Sequence, residues 1–268
     1  MENYKENDMI KQIFLQISKK HPVLKEKNIL GIEDMTKIKE HISKIDFNQN
    51  LLDDLLQFYT ATNDICFIMN LINLGANIHA NKDNVLRIAV AFGHMDCVVL
   101  YSDLGISIKK NYHLIVDVAE RGNVSLMKYY LSFMTLTKKT CTYINIALMS
   151  AIKRNFIDIF KLLVDFGANI HYSNDYPLVI STKTNNYEIS KYLLENGARA
   201  NAQSNLPLIN AIINKNHDIV QLLVDYGAHT DKEEIIMYIK EYKLYKIAII
   251  LSIFITENEC LDNNTTPI

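Results

Sequence analysis

The sequence predicts an all-α fold: a solenoid of stacked helix-turn-helix units. Three observations carry this. Glycines recur at Gly75, Gly105, Gly167, Gly197 and Gly227, with gaps of 30, 62, 30 and 30 residues, and a fixed period of this size marks a repeat architecture. Ahead of the later glycines, Ile159, Leu162 and Leu163 recur as Ile189, Tyr192 and Leu193, and as Ile219, Leu222 and Leu223. That i, i+3, i+4 spacing is one face of a helix. The chain has only 8 Gly and 4 Pro, few for a β-sandwich and enough for helices joined by short loops.

Residues 1–50 read as an N-terminal helical cap. In "KENDMIKQIFLQISKK", Met9, Ile10, Ile13, Phe14 and Ile17 form one stripe with lysines opposite. "IEDMTKIKEHISKI" forms a second stripe of Met35, Ile38, Ile42 and Ile45. A stack exposes apolar ends, so each end needs a polar-faced cap.

Residues 51–230 read as about six repeats, ending near 75, 105, 134, 167, 197 and 227. The 62-residue gap hides a degenerate unit, because "ERGNVSLMKYYLSFM" aligns with "KRNFIDIFKLLVDFG" and places Met134 where the glycine should be. First helices are expected over "NVLRIAVAF", "HLIVDVAER", "IALMSAIKR", "YPLVISTKT" and "LPLINAIIN". Pro177 and Pro207 stand in the first turn, where a missing N–H costs nothing. Between the helices come Asn63, Gly93, Gly122, Asn155 and Asn185, residues that readily take positive φ. Lys215 breaks this pattern, with Asn216 after it. Asp96, Asp158, Glu188 and Asp218 open the second helices, where the helix dipole favours acids. The glycine that ends each second helix is a C-cap. Ala76, Ala168, Ala198 and Ala228 after it predict close approach of a neighbouring repeat.

Residues 231–268 read as C-terminal capping helices and a frayed tail, "TENECLDNNTTPI". The apolar run "IAIILSIFI" is too short for the ~20 residues of a membrane span and reads as a buried helix.

Composition narrows the function. Of 268 residues, 49% are apolar and 22% charged, with a formal net charge of -2. Neither nucleic acid nor a membrane is expected as a partner, because binding them calls for a strongly basic surface. Cys66, Cys97, Cys141 and Cys260 are far apart in sequence, which reads as reduced thiols in an intracellular protein, cytoplasmic or nuclear. "MENYKENDMIKQ" has no apolar signal region.

The grammar of helix, turn, helix, Gly-Ala, polar loop and "PL" resembles the ankyrin repeat. "NVLRIA" at 84–89, Gly93-His94, Leu162-Leu163 and "GANIH" at 167–171 carry the likeness, over about Leu51 to Ala228. The usual ankyrin period is about 33 residues. The 30-residue units here resemble the shortened ankyrin repeats of giant DNA viruses. The missing residues fall in the loop, so the β-hairpin fingers are expected to be short or absent. The Thr and His that hydrogen-bond between ankyrin repeats are largely lost. The resemblance implies a non-catalytic protein-protein interaction scaffold. It also raises an adaptor that recruits substrates to a ubiquitin ligase. If the chain is viral, the partner would be a host protein.

Motifs for catalysis or metal binding are absent: there is no Walker loop, GxGxxG, HExxH, GxSxG or paired-cysteine site. No catalytic residue, cofactor or metal is assigned. His79 and His171 recur after Gly-Ala and are read as loop or inter-repeat hydrogen-bonding groups. His94, Cys97 and Cys66 are read as buried helix positions rather than ligands. The surface remains. Phe92, Arg121, Lys153, Arg154 and Lys183 fall at the ends of first helices, and the cations are expected to form a basic strip for an acidic partner segment. The alternative is a face charged only for solvation. Lys109, Lys110, Lys138 and Lys139 are read as loop residues on the same side. Tyr112, Tyr172 and Tyr176 are loop residues of a type enriched at interface hot spots. A monomer is expected.

Overall fold

The computed structural model describes residues 49–228, 236–237, 239–240 and 245–251. The N-terminal cap and the tail expected from the sequence lie outside the described residues, apart from the last residues before the first repeat. The chain divides into two compact halves between Phe133 and Met134. The N-terminal half contains α1 (Gln49–Ala61), α2 (Ile65–Asn73), α3 (Ala80–Phe92), α4 (Met95–Asp103), a 3-10 turn (Tyr112–Leu114), α5 (Ile115–Arg121) and α6 (Val124–Ser132). The C-terminal half contains α7 (Lys138–Arg154), α8 (Ile157–Phe166), α9 (Tyr172–Lys183), α10 (Tyr187–Glu195), α11 (Ala202–Ile213), α12 (His217–Asp225) and α13 (Tyr245–Ile250). There is no strand among the described residues.

Each repeat is an antiparallel helix pair. In the N-terminal half, first helices α1, α3 and α5 pack in order, and α2, α4 and α6 lie against their own first helices. In the C-terminal half, α7, α9 and α11 form one layer, with α8, α10 and α12 beside them and α13 against α12. The predicted stripes are the core: Ile159, Leu163, Ile189, Leu193, Ile219 and Leu223 are all buried. Ile247 and Ala248 of α13 are buried too.

The chain reverses between paired helices at a left-handed residue. Asn63, Gly93, Gly122, Asn155, Asn185 and Lys215 have φ of 57°, 75°, 71°, 59°, 59° and 56°. The sequence marked five of these. Lys215 adopts the same conformation at roughly 1–2 kcal/mol for a non-glycine residue. Asn216 serves instead as N-cap, accepting from the Ile219 N–H at 3.0 Å. The reversals are tied together: His94 Nε2 lies 3.1 Å from the Ala61 carbonyl. Asn123 Nδ2 donates to the Gly93 carbonyl, and Asn186 Nδ2 to that of Ile152.

The second helices end as the Gly-Ala pair requires. In α8, Gly167 has φ 110° and the Ala168 N–H donates to the Leu163 carbonyl at 2.9 Å, closing a Schellman cap. Ala76, Ala168, Ala198 and Ala228 are buried. The degenerate repeat differs. Helix α6 ends at Phe133, φ −94°, with no left-handed residue, and Thr137 then opens α7 with a reciprocal capping box to Thr140. Helix α7 is consequently longer than the sequence suggested. Lys138 and Lys139 form its first turn rather than a loop.

The loops hold what the sequence reading did not anticipate. Residues Asn81–Asp83, Ser173–Asp175 and Gln203–Asn205 each make a run of three left-handed residues, with φ between 47° and 65°. This compact turn stands where a hairpin finger was expected to be short or absent. The cost of left-handed backbone is offset by local hydrogen bonds. His79 Nδ1 meets Asp83 Oδ1 at 2.7 Å, and His171 Nδ1 meets Asp175 Oδ1 at 2.7 Å. The His79 and His171 N–H groups donate to Asn77 and Asn169.

Truncating Leu163 to Ala in this packed layer should cost about 2–5 kcal/mol, read from denaturant midpoints. Amides at 134–136 should exchange faster than those of Gly167 and Ala168, which donate to helix carbonyls at 2.9 Å. Equal protection in hydrogen-exchange mass spectrometry would refute that.

Candidate partner-binding face

The candidate face is formed by first helices and the loops that precede them. An acid or amide ten positions before the left-handed reversal links one repeat to the next. Asp53 accepts the Asn77 N–H at 2.7 Å, and Asn145 accepts the Asn169 N–H at 2.9 Å. Asp83 accepts from Asn111 Nδ2 at 2.8 Å. Asp175 accepts from Arg199 Nε at 2.7 Å. This ladder replaces the lost Thr and His, and its signal was the recurrence of Asp or Asn at 53, 83, 145, 175 and 205. Burial of Asp175 opposes its ionisation, but hydrogen bonds from Arg199 and His171 outweigh it and hold the carboxyl below its ordinary range.

The predicted contact residues separate. Phe92 is corrected from a partner contact to a core residue. It is 5% exposed, stacked with His94 and covered by the Arg121 guanidinium at 5.9 Å. Helix α3 turns that position inward, and a large ring there loses more water by packing than by display. Arg121 is half-buried and belongs to the N-terminal half, as does Tyr112, half-buried at the start of the 3-10 turn. Lys153, Arg154 and Lys183 belong to the C-terminal half and are exposed at the ends of α7 and α9. They make no ion pair or hydrogen bond to a described residue. Tyr172 is half-buried and Tyr176 exposed on α9. Lys109 and Lys110 are exposed in their loop.

The side chains weighed as ligands have other roles. Cys97 is buried and donates to Asn63 Oδ1. Burial, then Asp96, pushes its thiol up to about 12. Cys66 is exposed, correcting its reading as a buried position: it lies on the outer side of α2. On the second-helix side, an open groove of about 450 Å³ runs between α8 and α10 over Phe160 and Tyr192. Its Lys191 lies 4.0 Å from Glu195, so two of its charges answer each other. Among the described residues, no helix is long and apolar enough to cross a membrane.

The stacked helix pairs match a solved structure, the human ASB11 ankyrin repeat domain. The TM-score is 0.55 at 22% identity, over 66% of this chain and 85% of that one. This is the ankyrin-repeat fold. Residues 113–204 and 148–234 also match the family model described as ankyrin repeats in three copies. No curated protein matches the chain. Ankyrin repeats generally mediate protein-protein interactions.

The depressed Asp175 carboxyl links the ankyrin loops to pH. A carboxyl whose folded pKa lies below its unfolded value, about 3.9, stabilises above that value and loses its contribution as pH falls through the folded pKa. The stability gap between wild type and Asp175→Asn should therefore be constant from pH 5 to 7 and shrink below about pH 4. Urea titrations at pH 6 and pH 3 measure this.

Proposed function

We propose that the chain is a non-catalytic scaffold that holds a partner protein against the concave, first-helix side of its ankyrin repeats. Repeat stacks present extended surfaces of this kind, and the partner is a protein segment carrying acidic residues. The observation that carries the reading is the set Lys153, Arg154 and Lys183: exposed at the ends of neighbouring first helices and unanswered by any described acid. A helix C-terminus favours cations by only ~0.3–1 kcal/mol, and it leaves their charge available to a ligand. The protein acts as a monomer inside the cell, and in a viral setting the partner belongs to the host.

The test is affinity capture from cell lysate with wild type and with Lys153→Glu/Arg154→Glu/Lys183→Glu. Arg121 is left intact because its guanidinium covers Phe92. Partners enriched by wild type should be lost from the variant, while both keep the same helical circular dichroism and melting. Equal capture would refute the reading. Ubiquitin-ligase components among the lost proteins would place the scaffold in an adaptor role.

A further inference from the structure

The first-helix face changes character along the chain. Nine positions before each left-handed reversal stand Asp54, Asn84 and His113 in the N-terminal half. The same position holds Ile146, Tyr176 and Leu206 in the C-terminal half. Six positions before the reversal stand Gln57, Arg87 and Val116 in the N-terminal half, and Met149, Ile209 and the buried Val179 in the C-terminal half. At the position nine before the reversal the helix pair therefore tolerates polar residues, so the fold does not demand Ile146, Tyr176 and Leu206 there. They are also not hidden: Ile146 and Tyr176 are 39% and 41% exposed, alongside Ile213, 52% exposed at the end of α11, with Leu206, Met149 and Ile209 half-buried. Scattered exposed apolar residues need no explanation, but these occupy matching positions on helices that pack side by side, α7 on α9 and α9 on α11.

Resting on the recognition reading above, we propose that this strip is the seat of an extended peptide segment with a large apolar residue at every third position and acidic residues between. The period follows from geometry. Packed helix axes lie roughly 8–10 Å apart. A polyproline-type strand advances about 3.1 Å per residue with three residues per turn. Residues i, i+3 and i+6 then point to one side and meet α7, α9 and α11 in turn. A partner helix rises only about 1.5 Å per residue and covers the same step in about six or seven residues, so the spacing of the apolar residues tells the two forms apart. Charge complementarity selects the acidic residues. Lys153, Arg154 and Lys183 border the strip at the reversal side, and a second copy of the chain would bring the same cations to the same face. Asn214 Nδ2 donates to the Thr182 and Lys183 carbonyls, and Asn210 Nδ2 to that of Val179. These bonds hold α9 and α11 in register beneath the strip.

The test pans a phage-displayed random 12-residue library on the full chain and measures the enriched peptides by fluorescence polarisation. The expected consensus has Leu, Ile, Phe or Tyr at every third position with Asp or Glu between. Affinity should fall at least tenfold for Tyr176→Ser and for Lys153→Glu/Lys183→Glu, and stay within twofold for Tyr226→Ser, away from the strip. Melting of each variant is compared with wild type, and Ile213→Ser replaces any variant that melts early. Peptides sensitive to charge reversal yet indifferent to Tyr176→Ser and Ile146→Ser would overturn the apolar seat and leave the recognition reading standing. Apolar residues spaced three and four apart would overturn the extended form. No enriched peptide, or peptides indifferent to every variant, would overturn both.

Discussion

Within each half of this chain, a helix pair keeps one apolar side that can leave water only against the next pair. Every other feature serves that stacking. The pair must be antiparallel and tight, so the chain must reverse in very few residues, and a left-handed residue does this in all six described repeats. The reversal leaves polar backbone at the seam between repeats. Side chains of the following repeat satisfy it, as His94 does for Ala61 and Asn186 for Ile152. Stacking and hydrogen bonding therefore fix the same register.

The loops solve a related problem with less chain. Three successive left-handed residues fold the connection into a turn compact enough for a 30-residue period. Left-handed backbone is unfavourable for residues such as Lys82 or Ser173, and their loops compensate through His–Asp pairs and the Asp ladder between repeats, while Gln203 Nε2 donates to the Ser173 carbonyl. Asp175 gathers three of these demands at once, from His171, the Arg199 side chain and the Arg199 N–H. Its carboxyl is 3% exposed, so the ionised form persists only because those donors surround it.

With the apolar stripes committed to stacking, the surface of the first helices is the proposed recognition face. The two halves differ most nine positions before the reversal, with Asp54, Asn84 and His113 in the N-terminal half and Ile146, Tyr176 and Leu206 in the C-terminal half. The same backbone supports both choices, and the proposed apolar seat rests on that difference. Phe92 shows the opposite case. Thr62 and Arg121 hold the same position in the neighbouring repeats, yet Phe92 is buried beneath Arg121.

The sequence by itself determined the repeat, its helix pairs, the buried stripes, the reversal position and the Gly-Ala cap. Each depends on residues near one another in the chain: i, i+3, i+4 spacing, a glycine or asparagine at a turn, an acid at a helix start. It also located the one break in the pattern, at Met134, where the chain divides into its halves. Only the tertiary structure decided the hand of the loops, the depth of Phe92, the exposure of Cys66 and the place of Lys138 and Lys139 on a helix. The helix start at Lys138 rests on a capping box between Thr137 and Thr140, while the others involve contacts between repeats, such as Asp53 with Asn77 or Asp175 with Arg199, 24 residues apart. Local propensity carries no information about what the neighbouring repeat will cover.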